Sequence, residues 1–166
     1  PGHLGPVAAV AAAHPGKIEV FEWREETFEA LTHGIQRARL GNRVTATRID
    51  EPVVRVTSIA GVVTDLPFDP EQNTAARAVA AWRAALGLSF GVELAIEKGI
   101  PLGSGLGGSA ASATAALTAA NALLAQPLTP AQLYPLAMEG ERAASGSLHG
   151  DNVGPQLLGG LVLATA

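Results

Sequence analysis

Apolar and polar positions alternate most clearly between residues 44 and 98. Val44-Thr45-Ala46-Thr47-Arg48-Ile49 and Val53-Val54-Arg55-Val56-Thr57-Ser58-Ile59 are β-branched runs separated by Asp50-Glu51-Pro52, a pattern that predicts two strands joined as a hairpin. A third alternating run, from Val92 to Lys98, puts Val92, Leu94 and Ile96 on one face at period two. Between these runs Pro67 and Pro70 make an irregular connection, and Asn73 or Thr74 can cap a helix that runs to Leu86 and stops at Gly87. After Lys98 comes a glycine-rich loop, then an Ala-rich helix over 109–125 built from strong helix formers. Pro127 breaks the chain, and Thr129-Pro130 restart it as N-cap and first helical residue of a helix reaching about Ala144.

The two ends carry less regular patterns. Pro1–Gly16 reads as a loop, and Ile18–Arg39 mixes apolar and charged residues at loosely helical spacing, closed by Gly41-Asn42. Ser145-Gly146-Ser147 opens a loop, and Gly159-Gly160-Leu161-Val162-Leu163-Ala164 reads as a final strand. Helices and strands do not alternate regularly, so the expected class is α+β: a small mixed sheet packed with helices. Residues 43–166 are expected to form one domain, with 1–42 left unassigned.

Composition narrows the function. At 166 residues, with 48% hydrophobic and 16% charged positions, the chain can bury one core. The net charge is −4 and the basic residues form no run, which argues against a nucleic-acid-binding face. There is no cysteine, hence no disulfide framework and no thiolate metal site. The apolar stretch from Val7 to Ala13 is too short to span a bilayer and lacks the basic flank of a secretory signal.

The chemistry concentrates in Pro101-Leu102-Gly103-Ser104-Gly105-Leu106-Gly107-Gly108-Ser109-Ala110-Ala111, which lies between a strand and a helix. Glycine lets a backbone take positive φ and approach a ligand closely. The free N–H groups and positive dipole end of the helix that follows favour an anion. No Asp, Glu, Lys or Arg occurs between Lys98 and Glu139, so a phosphate here would be held by amides and hydroxyls rather than by a local cation. A Walker A loop fails because its lysine is missing. Gly103-Ser104-Gly105-Leu106-Gly107-Gly108 matches the dinucleotide fingerprint, but residues 117–138 supply no acid at the required distance. A glycine-rich turn capped by Ser109 is the structural alternative. The third loop type fits better: Pro-x-x-x-Gly-Leu-Gly-x-Ser-Ala-Ala resembles the phosphate loop of the GHMP kinases, with Gly108-Ser109 where that pattern has Ser-Ser.

A second constellation runs from Glu141 through Ser145-Gly146 to His149, Asp151, Asn152, Val153 and Pro155. Taken alone it reads equally as a helix C-terminus followed by an Asn/Asp-rich turn. Together with the loop it resembles the homoserine kinase branch of the GHMP kinases, and the similarity extends from about Val44 to the end.

The resemblance implies the lobe known from ribosomal protein S5, domain 2, with residues 101–111 cradling the phosphates of ATP. It implies that Ser109 and Glu141 hold Mg²⁺, that Asn73 and Lys98 line the nucleotide pocket, and that His149, Asp151 and Asn152 face L-homoserine. No catalytic base is assigned; Asp151 is the nearest candidate, with substrate orientation as its expected role. The implied reaction is phosphorylation of homoserine toward threonine, in the cytoplasm, without nucleic-acid or membrane partners and with a homodimer as one compatible assembly. Another GHMP small-molecule kinase, or a non-catalytic nucleotide-binding fragment, is the alternative. Members of this branch also resemble one another in an early Asn- and Asp-containing segment and in a second lobe. Here no Asn precedes Asn42 and no Asp precedes Asp50. The expectation is therefore an ATP-binding lobe that does not turn over by itself.

Overall fold

The computed structural model describes residues 9–14, 17–23, 41–145 and 150–159, with side chains described for 41–143 and 150–159. Strands β1 (Ala9–His14), β2 (Lys17–Trp23), β3 (Gly41–Ile49), β4 (Val54–Gly61) and β5 (Gly91–Lys98) form a single sheet in the order β1-β2-β3-β5-β4. Helices α1 (Thr74–Ala85), α2 (Gly108–Asn121), α3 (Pro130–Ser145) and α4 (Gly150–Leu158) complete the described elements. The α+β class is observed.

Period-two patterning sets the buried face. Val44 and Ala46 of β3, Val56 of β4, and Val92, Leu94 and Ile96 of β5 are buried and join one core with Val79 and Trp82 of α1. Against this face lies α2, buried nearly all round by its alanines, Leu117 and Thr114. A helix apolar on every side belongs inside a fold, and its small side chains let neighbouring backbones come close.

The expected hairpin is corrected. β3 and β4 do not pair; β5 lies between them, antiparallel to β3 (Val44 opposite Ile96) and parallel to β4 (Val56 opposite Leu94). The connection through α1 provides the crossover that a parallel pair needs. Gly91 makes this arrangement possible. A Cβ at Gly91 would strike the backbone carbonyls of Glu51 and Val53, so the 51–53 segment crosses the start of β5 only because that position is bare.

Three further expectations change. Lys17–Trp23 is a strand rather than the start of a helix, its backbone laid along β3 with Val20 opposite Val44; residues 24–40 lie outside the described residues. Ala9–His14, expected as loop, pairs with β2, so sheet pairing overrides the helical bias of its alanines. Helix α2 stops at Asn121 instead of 125, because the Asn121 amide donates to the Leu128 carbonyl and its oxygen accepts from the Leu128 N–H, both at 2.9 Å. The final strand expected over 159–164 falls outside the described residues except for Gly159. That glycine, at φ +73°, donates its N–H to the Pro155 carbonyl and closes α4.

Candidate functional site

The loop between β5 and α2 has the backbone its glycines call for. Gly103, Gly105 and Gly107 adopt φ of +70°, +72° and +67°. Gly107 is the N-cap of α2 and no side chain caps it; the first helical bond back to it comes from the Ala111 N–H, at 2.9 Å. The amides of Gly108, Ser109 and Ala110 precede that bond at the positive end of the helix, the arrangement that favours an anion. The alternative of a turn capped by Ser109 is therefore not what forms. The Ser109 hydroxyl instead donates to Glu141 Oε2 at 3.2 Å, joining α2 to α3.

A cleft of about 470 Å³ opens here. Pro101, Leu102, Gly103, Ser104, Gly105, Gly107, Gly108 and Ser109 line it together with Leu66, Pro67, Gln72, Asn73, Thr74, Lys98, Ile100 and Ala143. Leu106 lies outside this lining, and Ala110 and Ala111 are buried in the body of the protein.

Beneath the loop is a polar cluster with no counterpart in the linear reading. The Gly108 carbonyl accepts from Lys98 Nζ at 2.8 Å, Asn42 Nδ2 at 2.8 Å and Ser112 Oγ at 3.1 Å. Lys98 Nζ also donates to Ser112 Oγ at 2.7 Å. Lys98 lines the cleft and its ammonium stands at the base of the loop, while the loop itself carries no charged residue. Burial pushes the Lys98 ammonium down from 10.5 to about 8, with the negative Glu141 carboxylate working in the opposite direction. Asn42 gave one usable signal in the sequence: it shares the buried parity of Val44 and Ala46 on β3, where a polar side chain needs a partner.

Asn73 borders the cleft, yet its side chain serves the fold. Its Oδ1 accepts from the N–H groups of Ala75 and Ala76, and its Nδ2 donates to the Pro67 carbonyl at 2.8 Å. This is an N-cap, and it also holds the 67–73 segment against α1.

Glu141 owes its place to the residue before it. A Cβ on Gly140 would come within 2.6 Å of the Thr74 carbonyl and 2.9 Å of Ala113 Cβ, so α3 can lie this close to α1 and α2 only with glycine there. The buried Glu141 carboxylate is thereby brought to Ser109.

The expected Asp/Asn-rich turn is helix α4, whose buried Val153 and Leu157 are one turn apart. Asn152 packs over Gly107, so close that a Cβ on Gly107 would lie 2.6 Å from its Oδ1. Gln156, absent from the expected site, donates to the Gly107 carbonyl at 3.4 Å and accepts from the Thr114 hydroxyl at 3.3 Å. Asp151 is exposed in the first turn of α4, and His149 lies outside the described residues. The structure therefore gathers the loop, Lys98, Ser109, Glu141 and Asn152 in one place, with Asn73 on the border of the cleft.

The GHMP kinases N terminal domain family matches residues 73–160. A homoserine kinase of Xanthomonas campestris is 59% identical over 126 residues, covering 76% of this chain and 39% of that protein. The crystal structure of homoserine kinase from Cytophaga hutchinsonii superposes with a TM-score of 0.68 at 35% identity, over 91% of this chain and 44% of that one. A mevalonate kinase structure from Methanococcus jannaschii, at 12% identity and a TM-score of 0.56, shares the fold. The chain spans about two-fifths of the length of the curated relatives it matches.

Proposed function

The chain belongs to the GHMP kinases, and on that premise we propose that the whole protein transfers the terminal phosphoryl group of ATP to the hydroxyl of L-homoserine, releasing ADP and O-phospho-L-homoserine. The reaction would be a cytoplasmic step toward threonine. Among the described residues no helix is long and apolar enough to cross a membrane. The observation that carries the reading is the Ser109–Glu141 contact at an uncapped helix start, beside a glycine loop that lines an open cleft.

In this reading the amides of Gly108, Ser109 and Ala110 donate to the β- and γ-phosphate oxygens, with the bare loop glycines allowing close approach. Phosphoryl transfer asks a protein mainly for positioning and charge stabilisation, and one preorganised donor is typically worth about 3 kcal/mol. Ser109 and Glu141 offer a hydroxyl and a carboxylate, hard oxygen donors that suit Mg²⁺, which takes one or two carboxylates and completes its shell from phosphate and water. When bound, Mg²⁺ would neutralise charge on the transferring group. Asp151 and Asn152, with His149, would orient the amino-acid substrate, and Asn152 already lies against the loop at Gly107.

A coupled ADP-release assay on the full-length protein tests the reading. Release should depend on L-homoserine and Mg²⁺ and should not be supported by mevalonate or galactose. A preference for either of those alcohols would overturn the substrate assignment.

A further inference from the structure

We propose that Asn42 is a positioning residue of the phosphate loop, clasping the loop's two ends together from a strand that lies outside it. The inference rests on the loop holding phosphate, as proposed above.

Asn42 is fully buried. A buried carboxamide is tolerated only when its donors and acceptor are used, and here each hydrogen bond leads to an end of the loop. Its Oδ1 accepts from the N–H of Gly99 at 3.1 Å and of Ile100 at 3.3 Å, where the chain leaves β5. Its Nδ2 donates to the Gly108 carbonyl at 2.8 Å and to Ser112 Oγ at 3.0 Å, in the first turns of α2. One side chain therefore fixes the distance between the residue before the loop and the residue after it.

The intervening segment cannot do this for itself. Residues 101–105 are exposed, and Gly103, Gly105 and Gly107 take left-handed conformations that glycine adopts and leaves easily. A loop with free ends would lose that freedom on binding a phosphate, and the loss would weaken affinity. Pinning both ends removes part of the cost beforehand. Lys98 reaches the same two acceptors, Gly108 and Ser112, so Gly108 is held from behind by two side chains from two strands. Gly108 is also one of the residues that line the cleft.

A merely structural Asn42 would move the melting temperature and leave the ligand constants alone. The test is the full-length protein and its Asn42→Ala variant, titrated with a non-hydrolysable ATP analogue and Mg²⁺ well below either melting point. Affinity should fall about tenfold, and the KM for ATP should rise in parallel while the KM for homoserine moves less than about twofold. A lower melting temperature with nucleotide affinity within about twofold of wild type would overturn the proposal. Wild-type protein that binds no nucleotide would instead sink the phosphate-loop reading, and this proposal with it. Hydrogen exchange on the unaltered protein checks the clasp without a variant. The Gly99 and Ile100 amides should exchange as slowly as those of β5 and far more slowly than the amides of 102–106. Exchange at the loop's rate would overturn the proposal equally.

Discussion

Lys98 Nζ lies 2.7 Å from the Ser112 hydroxyl and 2.8 Å from the Gly108 carbonyl, directly behind the first turn of α2. Its charge supplements the helix end at the point where a phosphate would sit, and burial has brought that charge within reach of titration. Nucleotide affinity should therefore decline as pH rises through about 8, while a Lys98→Met variant binds more weakly and shows a flat profile over the same range. Fold stability should move the other way. The folded pKa lies below the unfolded value, so the cost of burying the charge is present in full below about 8 and disappears as pH rises toward 10.5. Wild type should gain stability relative to Lys98→Met across that window, as read by denaturant titration at fixed ionic strength.

Gly140 of α3 lies in close contact with both α1 and α2. A methyl group there would meet the Thr74 carbonyl, Ala113 Cβ and Ala78 Cβ at 3.0 Å or less, all three in helices α1 and α2. Gly140→Ala should cost about 1–3 kcal/mol in chemical denaturation, as overpacked interiors do. Because Glu141 follows directly, the same variant should weaken Mg²⁺-dependent nucleotide binding.

Two loop glycines should respond differently. At Gly105 an added Cβ would meet nothing within 4 Å, so the only intrinsic penalty is the positive φ, about 1–2 kcal/mol for Gly105→Ala. Gly105→Val adds bulk beside the cleft and should abolish nucleotide binding in calorimetry with the fold intact. At Gly107 the added group would strike Asn152, so Gly107→Ala should impair homoserine use as well as ATP binding.

Asp151 stands exposed in the first turn of α4, away from the core. Asp151→Asn should leave the melting temperature and ATP affinity near wild type and raise the KM for homoserine, measured by steady-state kinetics on the full-length protein. An altered ATP affinity with unchanged homoserine kinetics would remove Asp151 from the substrate side.

The sequence was most legible where local chemistry decides the structure. Glycine spacing announced the loop, Asn73-Thr74 announced the start of α1 without saying which residue caps it, and period two announced β3, β4 and β5. Strand partners were not legible, because β-branched runs show that strands form without showing which one lies in the middle. The bare Gly91 that lets the chain cross β5 looks like any other glycine in a linear reading. Helix α4 was hidden because Gly150, Gly154 and Pro155 masked the Val153 and Leu157 face. The Asn42–Lys98–Gly108–Ser112 cluster joins residues as many as 70 positions apart and exists only after folding.

In the proposed site Ser109 and Glu141, whose side chains lie 3.2 Å apart at the start of α2, hold Mg²⁺ beside the phosphates. Calorimetric titration of ATP into wild type and Glu141→Gln, each with and without Mg²⁺, tests this assignment. Wild type should bind ATP much more tightly with Mg²⁺ present. Glu141→Gln, which keeps the size of the side chain and removes its charge, should lose most of that gain while retaining its fold. A variant that keeps the full Mg²⁺ enhancement but melts much earlier would remove Glu141 from the metal site and leave it as a structural link between α2 and α3.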